Sequence, residues 1–152
     1  VRALVPVGAD LIQASEHPIA ADNLITGEAW SGQAEVSEMT ASSGDRFTVF
    51  SQGFLLPTAS ETTLRFVYQL PEGSVYRDPS GSHTYRLKIQ KQPGVSAFPA
   101  RVILRTPENA IVSHIQSDTC SIDHTDQVIC RLDVSRDQVI DLRYTISEEA
   151  QP

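Results

Sequence analysis

Apolar and polar residues alternate strictly over residues 85–90, which have the sequence YRLKIQ. Tyr85, Leu87 and Ile89 fall on one side of an extended chain, and Arg86 and Lys88 fall on the other. A strand with this period has one face against a core and the other in water, as antiparallel sheets commonly do. The pattern therefore predicts a half-buried β-strand.

The last regular stretch of the chain, residues 138–146, alternates in the same way. Its predicted core face consists of Ile140, Leu142, Tyr144 and Ile146. No stretch has sustained helical periodicity. The best helical candidate, residues 16–24, contains Pro18, which limits it to about one turn. The chain is therefore predicted to be all-β.

Ten stretches have strand patterns separated by turn residues: 2–6, 11–14, 35–40, 46–56, 62–70, 85–90, 100–105, 110–115, 127–134 and 138–146. Since parallel strands need crossover helices, the near-absence of helix favours antiparallel pairing. We therefore predict an antiparallel immunoglobulin-like β-sandwich of about seven to ten strands, with a closed barrel as the alternative. We expect a single domain over residues 1–146 and a polar tail or linker over residues 147–152. Gly53, inside one predicted strand, indicates a bulge.

Nine residues separate Cys120 from Cys130, the only cysteines in the chain. The segment has the pattern of a hairpin that turns near residues 123–126, which would bring the two side chains together across the strands. We predict a disulfide, while two alternatives stay open: two buried free thiols, or a metal site with His114 or His124. A stable disulfide predicts an extracytoplasmic location, at the cell surface or secreted.

The formal net charge is −7, and the sequence has no basic stripe of the kind that nucleic acids require. The chain also has no continuous apolar run of the length that spans a bilayer. We therefore expect no nucleic-acid partner and no membrane insertion by this segment.

A search for catalytic patterns gives no nucleophile elbow, phosphate-binding loop or metalloprotease motif. The histidines lie in separate segments. His114, among apolar residues, is interpreted as half-buried, and His83, in a loop rich in serine and glycine, as solvated. We expect a protein that is not an enzyme and has no catalytic residues and no cofactor.

Three aspartates, Asp118, Asp123 and Asp126, lie close together in sequence. Calcium binding is one interpretation, but the glycine spacing of a calcium loop is missing. We prefer turn formation, a common role of aspartate, and expect no metal site.

Trp30, the only tryptophan, is interpreted as a core plug, and its exposure would instead suggest a platform for sugar stacking. Tyr76 lies in a long loop predicted over residues 71–83, and loops at the ends of sandwiches commonly bind ligands. Trp30 and Tyr76 are therefore the candidate ligand contacts.

The segment YRLKIQKQPG at residues 85–94 resembles the C-terminal immunoglobulin-like region of an uncharacterised prokaryotic family called domain of unknown function 4012. Residues 2–14 (RALVPVGADLIQA) and residues 47–70 are similar to two further passages of that family. Residues 120–146 resemble the closing strands of repeat domains in bacterial surface proteins. The resemblance implies a bacterial, membrane-anchored protein that faces outward, with no catalytic residues to carry over.

These observations favour a non-catalytic structural or interaction module of a bacterial envelope or cell-surface protein, with other envelope proteins or glycans as partners. A carbohydrate-binding domain is the alternative, and it requires an exposed Trp30 or Tyr76. A hydrolase would need a histidine and a carboxylate within hydrogen-bond reach in a pocket.

Overall fold

The computed structural model describes residues 1–91, 93–94, 96–116, 119–123 and 127–147. This part of the chain is all-β, with four antiparallel sheets, which confirms the predicted fold class. The only helical element in it is one turn of 3-10 helix at Ala21–Asn23, which is the single turn expected near Pro18. The chain divides into two compact units, Val1–Ser74 and Val75–Pro152, and each is described by itself.

The first unit contains five strands: β1 (Arg2–Pro6), β2 (Asp10–Ala14), β3 (Glu35–Thr40), β4 (Arg46–Ser51) and β5 (Phe66–Gln69). One sheet has the order β1-β4-β3, and the other pairs β2 with β5. The ring of the fully buried Phe50 lies at the centre of this unit's core, with Val5 and Ala9. The Phe66 and Tyr68 rings lie 6.2 and 5.5 Å from it, so β5 closes the core from the second sheet.

The second unit contains seven strands: β6 (Val75–Arg77), β7 (Ser82–Ile89), β8 (Phe98–Arg105), β9 (Ala110–Gln116), β10 (Cys120–Ile122), β11 (Gln127–Val134) and β12 (Gln138–Ile146). Four strands form one sheet in the order β6-β7-β12-β9, and three form the other in the order β10-β11-β8. The two sheets share one core, whose fully buried side chains are Val128, Cys130, Val134 and Ile140. This unit is therefore a two-sheet antiparallel sandwich.

The side chains in this core are mostly those that the alternating sequence pattern predicts to be buried. Leu87 and Ile89 pack against it from β7, whereas Arg86 and Lys88 on the same strand are exposed. On β12, Ile140, Leu142 and Tyr144 are buried in the core as predicted, but Ile146 is 43% exposed. Ile146 pairs with Ala110 at the last position of the ladder, where the sheet ends.

The described residues form twelve strands against the seven to ten expected, because short strands such as β6 and β10 have too few residues for a recognisable pattern. The sheets of the second unit have four and three strands, as in an immunoglobulin domain. In that domain the fifth strand belongs to the four-stranded sheet and the seventh to the three-stranded sheet, whereas here β10 and β12, the fifth and seventh strands of the unit, exchange these places. Each of the four sheets is open, so these strands do not form the closed barrel that was the alternative. The immunoglobulin-like detail and the single domain over residues 1–146 stay predictions.

The polar tail predicted over residues 147–152 is described at one position only. The amide of Ser147 donates to the carbonyl of Asn109 at 3.0 Å, so Ser147 is attached to the start of β9. Residues 148–152 lie outside the described part of the chain.

Candidate functional site

Cys120 on β10 and Cys130 on β11 are opposed in the ladder and joined by a disulfide. Their Cα atoms are 4.0 Å apart. The backbone amide of Arg131 donates to the carbonyl of Thr119 at 3.1 Å, so the cysteines occupy a non-hydrogen-bonded position of the ladder. Opposed Cα atoms approach most closely at such positions. The predicted disulfide is confirmed, and the alternatives of free thiols and a zinc site are excluded because both cysteines are used.

The disulfide belongs to the core of the second unit. Cys130 is fully buried beside Val128 and Leu132, and Cys120 packs against the same cluster. Strand β10 has only three residues and lies at the edge of its sheet. The disulfide therefore fastens a short edge strand to the sandwich from the inside.

Trp30 is half-buried in the first unit, where its backbone forms an isolated bridge with Ile19. Its ring covers Gly53, and a Cβ added at Gly53 would lie 3.1 Å from the indole. Gly53 follows the end of β4 at Ser51, so the bulge predicted inside a strand is wrong. The physical reason for glycine at this position is the close approach of the Trp30 ring.

Gly32 lies in the same region, with a φ of +77° that favours glycine. A Cβ at this position would lie 2.2 Å from the carbonyl carbon of His17. The carbonyl of Gly32 accepts from the His17 amide at 3.1 Å and from the side-chain amide of the buried Gln52. These contacts hold the segment that carries Trp30 against β4. No sequence pattern indicated Gln52, because a polar residue gives no signal of burial.

Tyr76 lies in the middle of β6, inside the segment predicted to be a long loop over residues 71–83. That prediction is wrong, because Asp78 turns the chain into a hairpin between β6 and β7. Its carboxylate accepts from the Ser80 amide at 2.8 Å and from the Ser82 amide at 3.0 Å. Together with the Ser80 hydroxyl, these bonds lower the pKa of Asp78. The Tyr76 side chain is 63% exposed, opposite Thr84 on the neighbouring strand.

The two candidate ligand contacts, Trp30 and Tyr76, lie in different units of the chain. Trp30 packs against Gly53, whereas Tyr76 projects from an edge strand into solvent. Their roles as ligand contacts stay predictions.

The histidine environments differ from those expected. His83 was predicted to be solvated, but it is half-buried on β7, and its ring stacks on Tyr144 at 5.1 Å with 9° between the planes. Its Nδ1 atom is buried without a hydrogen-bond partner. His114 was predicted to be half-buried, but it is exposed because its position on β9 faces away from the core. His124 lies outside the described residues.

Asp141 is the buried charged residue of the second unit that the sequence did not single out. It lies on the outer face of β12, yet it is only 8% exposed. Arg86 on β7 covers it and donates from Nε and Nη2 to the two carboxylate oxygens at 2.6 and 2.8 Å. This hydrogen bonding is the main reason why the pKa of Asp141 lies below its usual value, with Arg143 and His114 adding to the effect. Both oxygens are occupied, so the group serves as an ion-pair partner.

One end of the sandwich opens into a cleft of about 260 Å³. Its lining combines apolar and aromatic side chains with Arg105 and Thr106, and consists of Val75, Tyr85, Ile103, Leu104, Arg105, Thr106, Pro107, Leu142 and Tyr144. Burial raises the pKa of Tyr144 above its ordinary value. The cleft is slightly smaller than pockets for drug-sized ligands, which hold roughly 300–1,000 Å³.

Within the described ranges, no three histidine, cysteine, aspartate or glutamate side chains group closely enough to hold a metal ion. Two of the three aspartates weighed as calcium ligands, Asp118 and Asp126, lie outside those ranges. None of the described residues belongs to a helix long and apolar enough to cross a membrane.

Together, fold and disulfide define the class: an all-β protein whose second unit is a disulfide-bonded antiparallel sandwich. Comparison with models of known families, with curated proteins and with solved structures found no match.

Proposed function

We propose that the chain is a non-catalytic, extracytoplasmic structural or interaction module of a bacterial envelope or cell-surface protein. The observation that carries this proposal is the disulfide between Cys120 and Cys130, because Cys130 is fully buried in the sandwich core. A bond enclosed in a core forms during folding and persists in oxidising compartments, which lie outside the cytoplasm.

The ion pair on the outer face of the four-stranded sheet supports a structural role. Asp141 is buried, and Arg86 donates to both of its carboxylate oxygens. A general acid or base needs a lone pair or proton that can reach a substrate. Asp141 instead connects the neighbouring strands β12 and β7.

The resemblance of residues 85–94 to the family called domain of unknown function 4012 supports the bacterial, outward-facing part of the proposal. In the structure YRLKI is the last part of β7, and Pro93 and Gly94 form a turn after it. Most of the motif therefore belongs to the framework of the sandwich, which agrees with a structural role for this segment.

The proposal is tested on the full-length protein in bacteria that produce it. Cells are quenched in acid, denatured and treated with a maleimide that adds mass at each free thiol, with and without prior reduction. We expect no modification of Cys120 and Cys130 before reduction and modification of both after it. Protease added to intact cells should also cleave the protein. Two free thiols, together with protection from protease until the cells are lysed, would overturn the proposal.

Carbohydrate binding is the second candidate, and the exposure of Tyr76 favours it. An exposed aromatic ring on a sheet surface can stack on a sugar, and Thr84 beside it offers a hydroxyl. A glycan array tests this candidate with the wild type, Tyr76→Ala and Trp30→Ala. Binding that is lost only with Tyr76→Ala would place the sugar on β6. Binding that survives both substitutions would exclude the two aromatic platforms.

A further inference from the structure

The outer face of the three-stranded sheet in the second unit brings two arginines together. Arg101 on β8 and Arg131 on β11 are directly opposed in the ladder. Their neighbours Val102 and Cys130 pack into the core, so both arginines point outward, and both are exposed. They are thirty positions apart in sequence, and only the register of the strands reveals the pair.

Like charges at directly opposed positions of a sheet destabilise it. Two of the other arginines in the described residues have acidic partners: Arg46 pairs with Glu38 and Arg86 pairs with Asp141. Arg101 and Arg131 take part in none of the ion pairs found among the described residues. The opposed pair therefore carries a cost in stability that a bound anion would remove.

The charges of the chain are also divided unevenly. The first unit has three arginines and no lysine against nine acidic residues, whereas the second has nine basic and ten acidic residues. The arginine pair thus lies in the unit whose net charge is close to zero.

We propose that Arg101 and Arg131 form a binding site for a tetrahedral oxyanion, phosphate or sulfate. Each guanidinium presents a planar fork of N–H donors that can give two parallel hydrogen bonds. One fork saturates a planar carboxylate, whereas a tetrahedral oxyanion has enough terminal oxygens to accept from two forks at once. Two opposed forks that form no ion pair with a carboxylate in the described part of the chain therefore match phosphate or sulfate best.

Arg105 extends the site along β8. It lies four residues beyond Arg101, on the same outward face and opposite Gln127. At about 3.3 Å per residue, the two positions are about 13 Å apart along the strand. A polymer with repeated phosphate or sulfate groups could contact both, whereas a free ion occupies only the pair. This inference is independent of the compartment proposed above, since it depends only on the face of one sheet.

Thermal unfolding of the full chain tests the site in sodium phosphate, sodium sulfate and sodium chloride at matched ionic strength and pH. At an oxyanion concentration about ten times Kd, binding stabilises the folded state by about 1.4 kcal/mol, so we expect the Tm of the wild type to rise by about 3–6 °C over the chloride value. Arg131→Gln and Arg101→Gln should abolish that rise. Each should also raise the Tm in chloride or leave it unchanged, because like-charge repulsion is removed.

Arg65→Gln is the matched control. Arg65 is an exposed arginine of the first unit that forms no ion pair within the described ranges, so its variant should keep the full response to phosphate. An equal Tm rise in the Arg101→Gln and Arg131→Gln variants would overturn the proposal. So would a wild-type response to phosphate and sulfate no larger than the response to chloride.

A second measurement separates a free ion from a polymer. Amide chemical shifts are followed during titration with inorganic phosphate and then with long-chain polyphosphate. Both should perturb Arg101 and Arg131, and only polyphosphate should also perturb Arg105, with an affinity that Arg105→Gln lowers. Perturbations confined to another face of the unit would refute the site.

Discussion

The disulfide gives the sharpest test of how this fold is stabilised. Reduction of the Cys120–Cys130 bond leaves both sulfur atoms in the protein and removes only the cross-link. The two positions are ten residues apart in sequence. For a closed loop of that length, the chain-entropy relation gives a loss of about 2.7 kcal/mol in the free energy of unfolding at 25 °C. Because Cys130 is fully buried, a substitution would add a packing loss that reduction avoids.

The assay is equilibrium unfolding in urea with and without a phosphine reductant, followed by far-ultraviolet circular dichroism. For a urea m-value of roughly 1–3 kcal/mol/M, the loss corresponds to a midpoint lower by about 1–3 M. The Cys120→Ala/Cys130→Ala variant is the control, since the reductant should leave its midpoint unchanged. The reasoning is refuted if thiol titration shows complete reduction of the wild type while its midpoint stays the same.

Three further predictions concern positions that the structure singles out. Ile140→Ala should lower the free energy of unfolding by about 2–5 kcal/mol in urea titrations, because the side chain is fully buried between the sheets. Gly53→Ala should cost about 1–3 kcal/mol and shift the fluorescence of Trp30, because the added Cβ would lie 3.1 Å from the indole. Asp141→Asn should lower the urea midpoint at neutral pH, since it breaks the pairing with Arg86. Because the folded pKa of Asp141 lies below the usual value of 3.8, the stabilisation is present above that value and is lost as the pH falls through the folded pKa. The gap between Asp141→Asn and the wild type should therefore narrow in acid.

Each of these predictions has a control and a contradicting result. Val139→Ala, at a position 47% exposed on the same strand as Ile140, should change stability little, and an equal loss at both positions would contradict the core assignment. Asp133→Asn, at an exposed position of β11, should leave the urea midpoint at neutral pH nearly unchanged. If the difference in urea midpoint between Asp141→Asn and the wild type widens in acid, the expected pH dependence is wrong. Unchanged Trp30 fluorescence in the Gly53→Ala variant would contradict the contact between the indole ring and position 53.

The sequence predicted the strands with strict alternation well. The bounds of β11 and β12 agree with the predicted stretches 127–134 and 138–146. The prediction works there because every second residue of both strands packs into a single core, although Ile129 and Asp141 are also buried on the outer faces.

Features that depend on pairing between distant segments could not be predicted in this way. Strand β6 has only three residues, and the carboxylate of Asp78 rather than any apolar pattern forms its hairpin. Asp141 is buried on the outer face because Arg86, fifty-five positions away, covers it. The opposition of Arg101 and Arg131 likewise follows from the register of β8 and β11. Such contacts are set by tertiary structure, which a local pattern does not contain.

The environment of Gly32 limits how this protein can vary. Every other amino acid has a Cβ, and at this position that atom would meet the carbonyl carbon of His17 at 2.2 Å. The backbone there also has a φ of +77°, a conformation that side chains disfavour. Substitution of Gly32 by any other residue should therefore push apart the two segments that lie against each other at this point, and weaken the support of Trp30. Sequences that adopt the fold of the first unit should therefore keep glycine at position 32, and this position can anchor their alignment.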